Sequence, residues 1–399
     1  MTGPEEFNPR PALIATMVIF AVNGLAIASW AARIPTVARV LELSTGEMGA
    51  VLLTMAVGSV IALPMAGSVA FRIGTANTVR LGAGISAVGA LILTLALASG
   101  SVPLTVLGLF FFGGGIGLWD VSQNVEGAAI ERALQRSVMS KFHAAFSAGA
   151  FLGALLGAGL SGLNIAMQWH LLGLVAVVLF TIFSGTRYFL PDSAHQQAAA
   201  ERSSIPTKNP WLEPRTLLIG LVVLGAALTE GAATDWMAKA TVDGLGASES
   251  IGALVFAIFI ASMTAVRFFG GGLIDRWGRV PVLYASLGSS LAGLVAFVLA
   301  PTLWIAVLGA LLWGAGAALG FPTGMSAAAD DPVRAAKRVS VVSTIGYVAF
   351  IAGPPAIGFL GDQLTLRTAL LVIGVVMLLS LLVVPAARPL KKADESQIG

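Results

Sequence analysis

Two carboxylates, Asp120 and Glu126, stand in the stretch W-D-V-S-Q-N-V-E-G at residues 119–127, directly after the apolar run F-F-F-G-G-G-I-G-L. A charge near the middle of a bilayer costs roughly 2.5–3.5 kcal/mol on insertion scales, so such acids are expected to face protein, a cavity or a partner rather than lipid. A desolvated carboxylate takes up a proton more readily than a free one, which is the chemistry a proton carrier needs. On a helix, Gly113, Gly117, Asp120, Asn124 and Gly127 share one face at three- and four-residue spacing. Asp120 and Asn124 are therefore expected to form a protonation and solute-binding face; the competing reading is a structural carboxylate satisfied by neighbouring donors. Glu126 points about 120° away and lies about 9 Å deeper toward the inner face at 1.5 Å per residue. It is a second proton-coupling candidate, or an acid held near the inner helix end by a cap or an arginine.

Further ionisable residues interrupt other apolar stretches. T-E-G-A-A-T-D-W supplies Glu230, a third proton-coupling candidate near mid-depth, and Asp235 nearer the outside. Asp235 and Lys239 are four apart and can form an i,i+4 pair that closes the outer end, or a merely solvated pair. Arg267 can snorkel to the inner surface or pair with a buried acid. His143, in K-F-H-A-A-F-S-A-G, can donate to a hydroxyl or relay a proton. Indole rings can stack on the C–H faces of a sugar while amides and acids take its hydroxyls. On that ground Trp30 and Trp236 are binding candidates, with Asn23, Trp119 and Tyr347 behind them; the alternative for each tryptophan is an interfacial anchor.

The elements that must position these residues follow from composition. The chain has 399 residues, 57% hydrophobic and 11% charged, against about 25% charged in soluble domains. It contains no cysteine and three histidines, which excludes disulfides and thiolate chemistry and leaves little for a metal site. About twelve runs are long enough to span a bilayer of about 30 Å: residues 11–32, 45–70, 78–99, 103–130, 140–162, 166–189, 215–240, 248–273, 279–300, 302–329, 339–361 and 366–388. The basic excess reads as membrane orientation rather than nucleic-acid binding. Placing the N-terminus inside puts most Lys and Arg on the cytoplasmic side, so both termini are expected there, in a bacterial inner membrane. No nucleophile-base pairing or metal cluster marks an enzyme.

The polar segment from Pro191 is expected to be a cytoplasmic linker, residues 191–213, between halves 1–190 and 214–399. An internal repeat supports that division. S-W-A-A-R at 29–33 recurs as D-W-M-A-K at 235–239, and Ser140 and Gly153 are echoed by Ser340 and Gly353. Glycine runs such as G-A-F-L-G-A-L-L-G at 149–157 are expected to give close helix packing. G-P-P-A-I-G at 353–358 is expected to kink its helix.

G-G-L-I-D-R-W-G-R at 271–279 resembles the G-x-x-x-D-R-x-G-R loop motif of the major facilitator superfamily. The resemblance implies an all-α membrane fold of twelve helices in two pseudo-symmetric six-helix bundles. It also implies a gating role for Gly271, Asp275, Arg276, Gly278 and Arg279, with the aspartate capping a helix or pairing with an arginine as a latch. In the first-half copy, G-S-V-A-F-R-I-G-T from Gly67, Phe71 replaces the aspartate. G-x-G-x-x-D-x-x-x-N at Gly115, Gly117, Asp120 and Asn124 resembles the fucose permease family, whose second acid on the first helix is missing here. N-V-E-G-A-A-I-E-R and G-F-P-T-G-M-S-A-A-A-D resemble an uncharacterised bacterial branch represented by YbjJ.

The resemblance implies a secondary transporter, most simply a proton symporter of a small polar organic solute such as a sugar. Protons would be the coupling ion, with no cofactor, no metal and no nucleic-acid partner, and the protein is expected to be a monomer. An exporter by proton antiport and a non-transporting membrane sensor are the alternatives. The superfamily's drug antiporters carry a G-P-x-x-G-G signature and an intramembrane arginine on helix 4, both missing from this sequence.

Overall fold

The computed structural model describes residues 9–134, 138–191, 209–331 and 334–390; most of the expected linker 191–213 lies outside the described residues. Twelve helices among them are long and apolar enough to cross a membrane. Spans 1 to 6 are Arg10–Ala31, Thr45–Ile73, Thr75–Ser99, Val102–Leu134, Lys141–Gly162 and Met167–Tyr188. Spans 7 to 12 are Pro214–Leu245, Glu249–Gly270, Arg279–Leu299, Leu303–Ala328, Lys337–Gln363 and Leu366–Ala387. An additional short helix, Ile34–Val40, follows span 1 and buries Ile34, Pro35 and Val37. Span 11 continues helically through Pro354 and Pro355.

The sequence repeat is also a structural one. Ser44 caps span 2 and Ser248 caps span 8, each hydroxyl accepting a backbone N–H three residues on. Gly74 and Gly278 turn the chain into spans 3 and 9 with φ of 83° and 79°, a backbone region that strains any residue with a Cβ. Spans 3 and 4 approach so closely that a Cβ on Gly115 would strike Ser86 and Gly82; spans 9 and 10 repeat this where Gly316 meets Ser290 and Ser286. Spans 1 and 5 meet in the same manner, with Gly149 against Ala21 and Gly153 against Leu25, as small-residue helix packing requires.

An even number of spans leaves residues 9 and 390 on one face of the molecule, here called the terminal face. The two groups of spans meet mainly along span 2 against span 11 and span 5 against span 8. These seams tighten at the far face. Ser44 Oγ donates to Asp362 (3.0 Å), Ser250 Oγ donates to Ala158 O (2.8 Å), and Arg39 Nε donates to Glu249 (2.7 Å). Gly49 faces Pro354 and Gly358 backbone to backbone. His143 and Tyr347, one from each half, remain exposed, so the space between the halves opens toward the terminal face.

Candidate functional site

Span 4 carries Asp120 and Asn124 half-buried on the side that faces the second half. The Asp120 carboxylate accepts a hydrogen bond from Gln123 Nε2 at 3.0 Å. Among the described residues no cation pairs with it. Asn124 Nδ2 donates to the main-chain oxygen of Asp120 at 2.8 Å, leaving the amide oxygen of Asn124 for other donors. Tyr347 on span 11 lies within electrostatic reach of Asp120, so the two halves face each other at this depth. His143 on span 5 lies within reach of Arg267 on span 8 in the same way, and its ring packs edge-on against Phe20 at 5.6 Å.

Across the gap, Arg267 Nη2 and Glu230 Oε2 form an ion pair of 2.7 Å, each side chain about one-quarter exposed (27% and 25%). Arg267 therefore pairs with a part-buried acid, and the snorkelling alternative is not what the structure contains. Its Nε also donates to Ala318 O at 3.2 Å. That carbonyl lies four residues before Pro322, which sits inside span 10 and has no N–H to offer it. The arginine thus satisfies an oxygen that the proline leaves without its helical donor.

The aromatic candidates are distributed differently from expectation. Trp30 (2% exposed), Trp236 (0%), Trp119 (0%) and Asn23 (0%) are all buried in this far-face-closed arrangement. The three indole Nε1 atoms and both amide atoms of Asn23 have no hydrogen-bond partner among the described residues. Trp119 packs into the notch of Gly82 on span 3, so it belongs to the interior of the first half. Glu126 is fully buried and accepts from Leu190 N at 2.8 Å, which ties span 4 to the end of span 6. The structure brings Asp120, Asn124, His143, Glu230, Arg267 and Tyr347 to the space between the halves. It does not bring Glu126 or Trp119 there.

The expected Asp235–Lys239 pair is replaced by Lys239–Asp243 at 2.8 Å. Lys239 is four residues from either aspartate and reaches toward the helix end, where Asp243 is 40% exposed and water lowers the cost of the charges. Asp235, half-buried, has no hydrogen bond or ion pair among the described residues.

At the terminal face, Gly271 lies within the helix Glu249–Trp277, and Asp275, Arg276 and Gly278 are exposed. Asp275 has no ion-pair partner among the described residues, and Arg276 rests over the Trp277 ring at 5.9 Å. Arg279 instead binds Asp330 at the end of span 10, which also binds Arg215 at 2.8 Å. A second cluster joins Glu213 to Arg338 (2.6 Å) and Arg334 (3.2 Å). The Arg338 guanidinium hydrogen-bonded to Glu213 holds that carboxyl below the ordinary carboxylate range. Asp330 closes the G-F-P-T-G-M-S-A-A-A-D string, but neither it nor Glu213 was marked as an ion-pair partner, because their partners come from distant turns of the chain.

Among the described residues, twelve helices long and apolar enough to cross a membrane form two structurally repeated groups, joined at one face and parted around half-buried ionisable residues at the other, the form of a membrane transporter. The chain belongs to the Major Facilitator Superfamily, whose sequence profile matches residues 12–330 and 232–399. That family consists of secondary transporters, not enzymes. The chain is 32% identical over 374 residues to the uncharacterised transporter y4wD of Sinorhizobium fredii, covering 92% of this chain and 96% of the relative. It is 28% identical to an uncharacterised MFS-type transporter of Yersinia pestis, covering 94% of each. Among solved structures, a point mutant of the nucleoside transporter NupG superposes with a TM-score of 0.75 at 16% identity, covering 94% of this chain and 99% of that one. A bacterial homologue of the human lysosomal transporter Spinster gives 0.73 at 14% identity, covering 98% and 100%. At these identities the superpositions establish the fold.

Proposed function

We propose that this transporter imports a small polar organic solute, a sugar or related metabolite, together with protons, by alternately opening the two faces of its halves 1–190 and 214–399. The observation that carries the reading is Asp120. It is a carboxylate inside a membrane span with only an amide partner among the described residues, facing the opposite half at Tyr347. An acid so placed is neutral when protonated and needs a counter-charge when it is not, which ties its proton to movement of the halves. Glu230 is already compensated by Arg267 and serves as a binding pair for polar groups, while Glu126 braces span 4. Asn124, His143 and Tyr347 supply amide, imidazole and phenol to the same space. Asn23, Trp30 and Trp236 become contacts when the far face opens, an event that gives their unpartnered atoms new neighbours. The resemblance of the Asp120–Asn124 motif to fucose permeases supports a hydroxylated solute, and both termini are assigned to the cytoplasm.

The test uses proteoliposomes enclosing a pH dye and a panel of hexoses, pentoses, uronates and hydroxy acids. An active solute should drive protons inward. Asp120→Asn should abolish gradient-driven accumulation yet retain solute counterflow. Full accumulation by Asp120→Asn would sink the assignment, and solute-driven protons leaving in the opposite sense to solute would establish antiport instead.

A further inference from the structure

A cavity of about 330 Å³ lies at the far face, apart from the site between the halves. Its lining includes Arg33, Thr36, Arg39, Asn164 and Gln168, all from the first half, and a single residue of the second half, Glu249. The Glu249 carboxylate enters with both oxygens engaged. Oε1 accepts from Arg39 Nε at 2.7 Å and Oε2 accepts from Thr36 Oγ1 at 2.5 Å. Behind them Arg33, 3% exposed, donates through Nε to Thr36 Oγ1 and through Nη2 to Ile165 O, each at 3.0 Å. Its Nη1 is buried with no partner among the described residues.

This arrangement has the form of a receptor and its ligand. The Arg39 guanidinium and the Thr36 hydroxyl on one body hold a carboxylate carried by the other, and the Arg33 guanidinium backs the hydroxyl. For the far face to open, the halves must part here and Glu249 must leave with the second half. Arg33, buried, then remains in a concave cleft with no acid on its wall, a configuration in which an uncompensated cation is costly, while the exposed Arg39 stays at the mouth. A dissolved anion of the same geometry removes that cost. The cavity is of the size that holds a small metabolite, and Asn164 and Gln168 add amides suited to hydroxyl groups.

We propose that the outer cleft of the first half is a binding site for small hydroxylated monocarboxylates arriving from the far face, and that Glu249 is the tethered carboxylate that occupies it while that face is closed. Free carboxylate and Glu249 compete for one site, so the ligand stabilises the far-face-open arrangement. The inference rests on the two faces opening alternately, but not on the role of Asp120.

The experiment titrates sodium D-glucuronate into purified full-length protein and follows binding by calorimetry and thermal shift, with D-glucose, sodium chloride and sodium phosphate as parallel arms. Glu249→Gln removes the competing charge and should tighten glucuronate binding about tenfold, the scale of one charge-assisted hydrogen bond. Adding Arg39→Gln to Glu249→Gln should cancel that gain; Arg39 is 67% exposed and its replacement leaves the fold intact. Glu249→Asp, too short to reach both donors, provides the same comparison if the glutamine variant does not fold. Glucuronate binding that Glu249→Gln leaves unchanged, or that survives Arg39→Gln, overturns the proposal. Equal tightening with chloride or phosphate overturns the carboxylate assignment. Because Asp120→Asn should leave the gain in Glu249→Gln intact, failure of the central proton site and failure of this site give separate results.

Discussion

Replacing Gly49 by alanine tests the far-face seam most directly. A Cβ at Gly49 would lie 2.7 Å from Pro354 O and 3.2 Å from both Pro355 Cα and Gly358 Cα, where ordinary contact begins at 3.4 Å. All three atoms are backbone of span 11, so no side chain can rotate aside. The seam must widen by roughly 0.7 Å, and overpacking of this kind costs about 1–3 kcal/mol. Spans 2 and 11 touch here only while the far face is closed, so the cost falls on that arrangement alone. The closed-to-open ratio should fall by roughly 5- to 150-fold, since each 1.4 kcal/mol is a factor of ten. The assay is a spin-label distance distribution between Leu163→Cys and Trp304→Cys, exposed positions (73% and 79%) on the far face of each half. The native chain contains no cysteine to compete for label. Gly67→Ala on the same span, where an added Cβ meets nothing within 4 Å, is the control. Gly49→Ala should gain a longer-distance population that Gly67→Ala lacks; identical distributions for the two would refute the reasoning.

Two further perturbations test the charged networks. In a double-mutant cycle of Glu230→Gln and Arg267→Gln, read by reversible unfolding in mixed micelles, the coupling should be about 1–2 kcal/mol for this part-buried pair; a coupling indistinguishable from zero would remove the pair from the site. Glu213 titrates below its ordinary 4.5 in the folded protein because of its hydrogen bond to Arg338. Its contribution to stability is therefore complete above its unfolded value and is lost as pH falls through the folded one. Thermal unfolding should lose stability as acidification passes below about pH 5 and on through the folded value, and Glu213→Gln should flatten that dependence.

The spans were legible because hydropathy is a local property read over about 20 residues. The Asp120–Asn124 face was legible because helical spacing alone decides it. Partnerships across the fold were less so. Lys239 has an aspartate at both minus four and plus four, and only helix depth selects Asp243 over Asp235. Asp330 gathers Arg215 and Arg279 from 115 and 51 positions away, a meeting that no local pattern encodes. Arg33 was legible only as the end of the S-W-A-A-R repeat and Glu249 only as a residue within the span 248–273, because their significance depends on how the halves close. The tryptophans Trp30 and Trp236 show the same limit, since their burial belongs to one arrangement of a protein that needs two.

The bond from Arg267 to Ala318 O gives Pro322 a part in the chemistry. Without a donor of its own at that turn, span 10 borrows one from the residue that also neutralises Glu230. Drawing the guanidinium away would also remove the donor that this proline-interrupted turn of span 10 relies on. The neutralisation of Glu230 and the hydrogen bonding of span 10 at its proline turn thereby share one side chain.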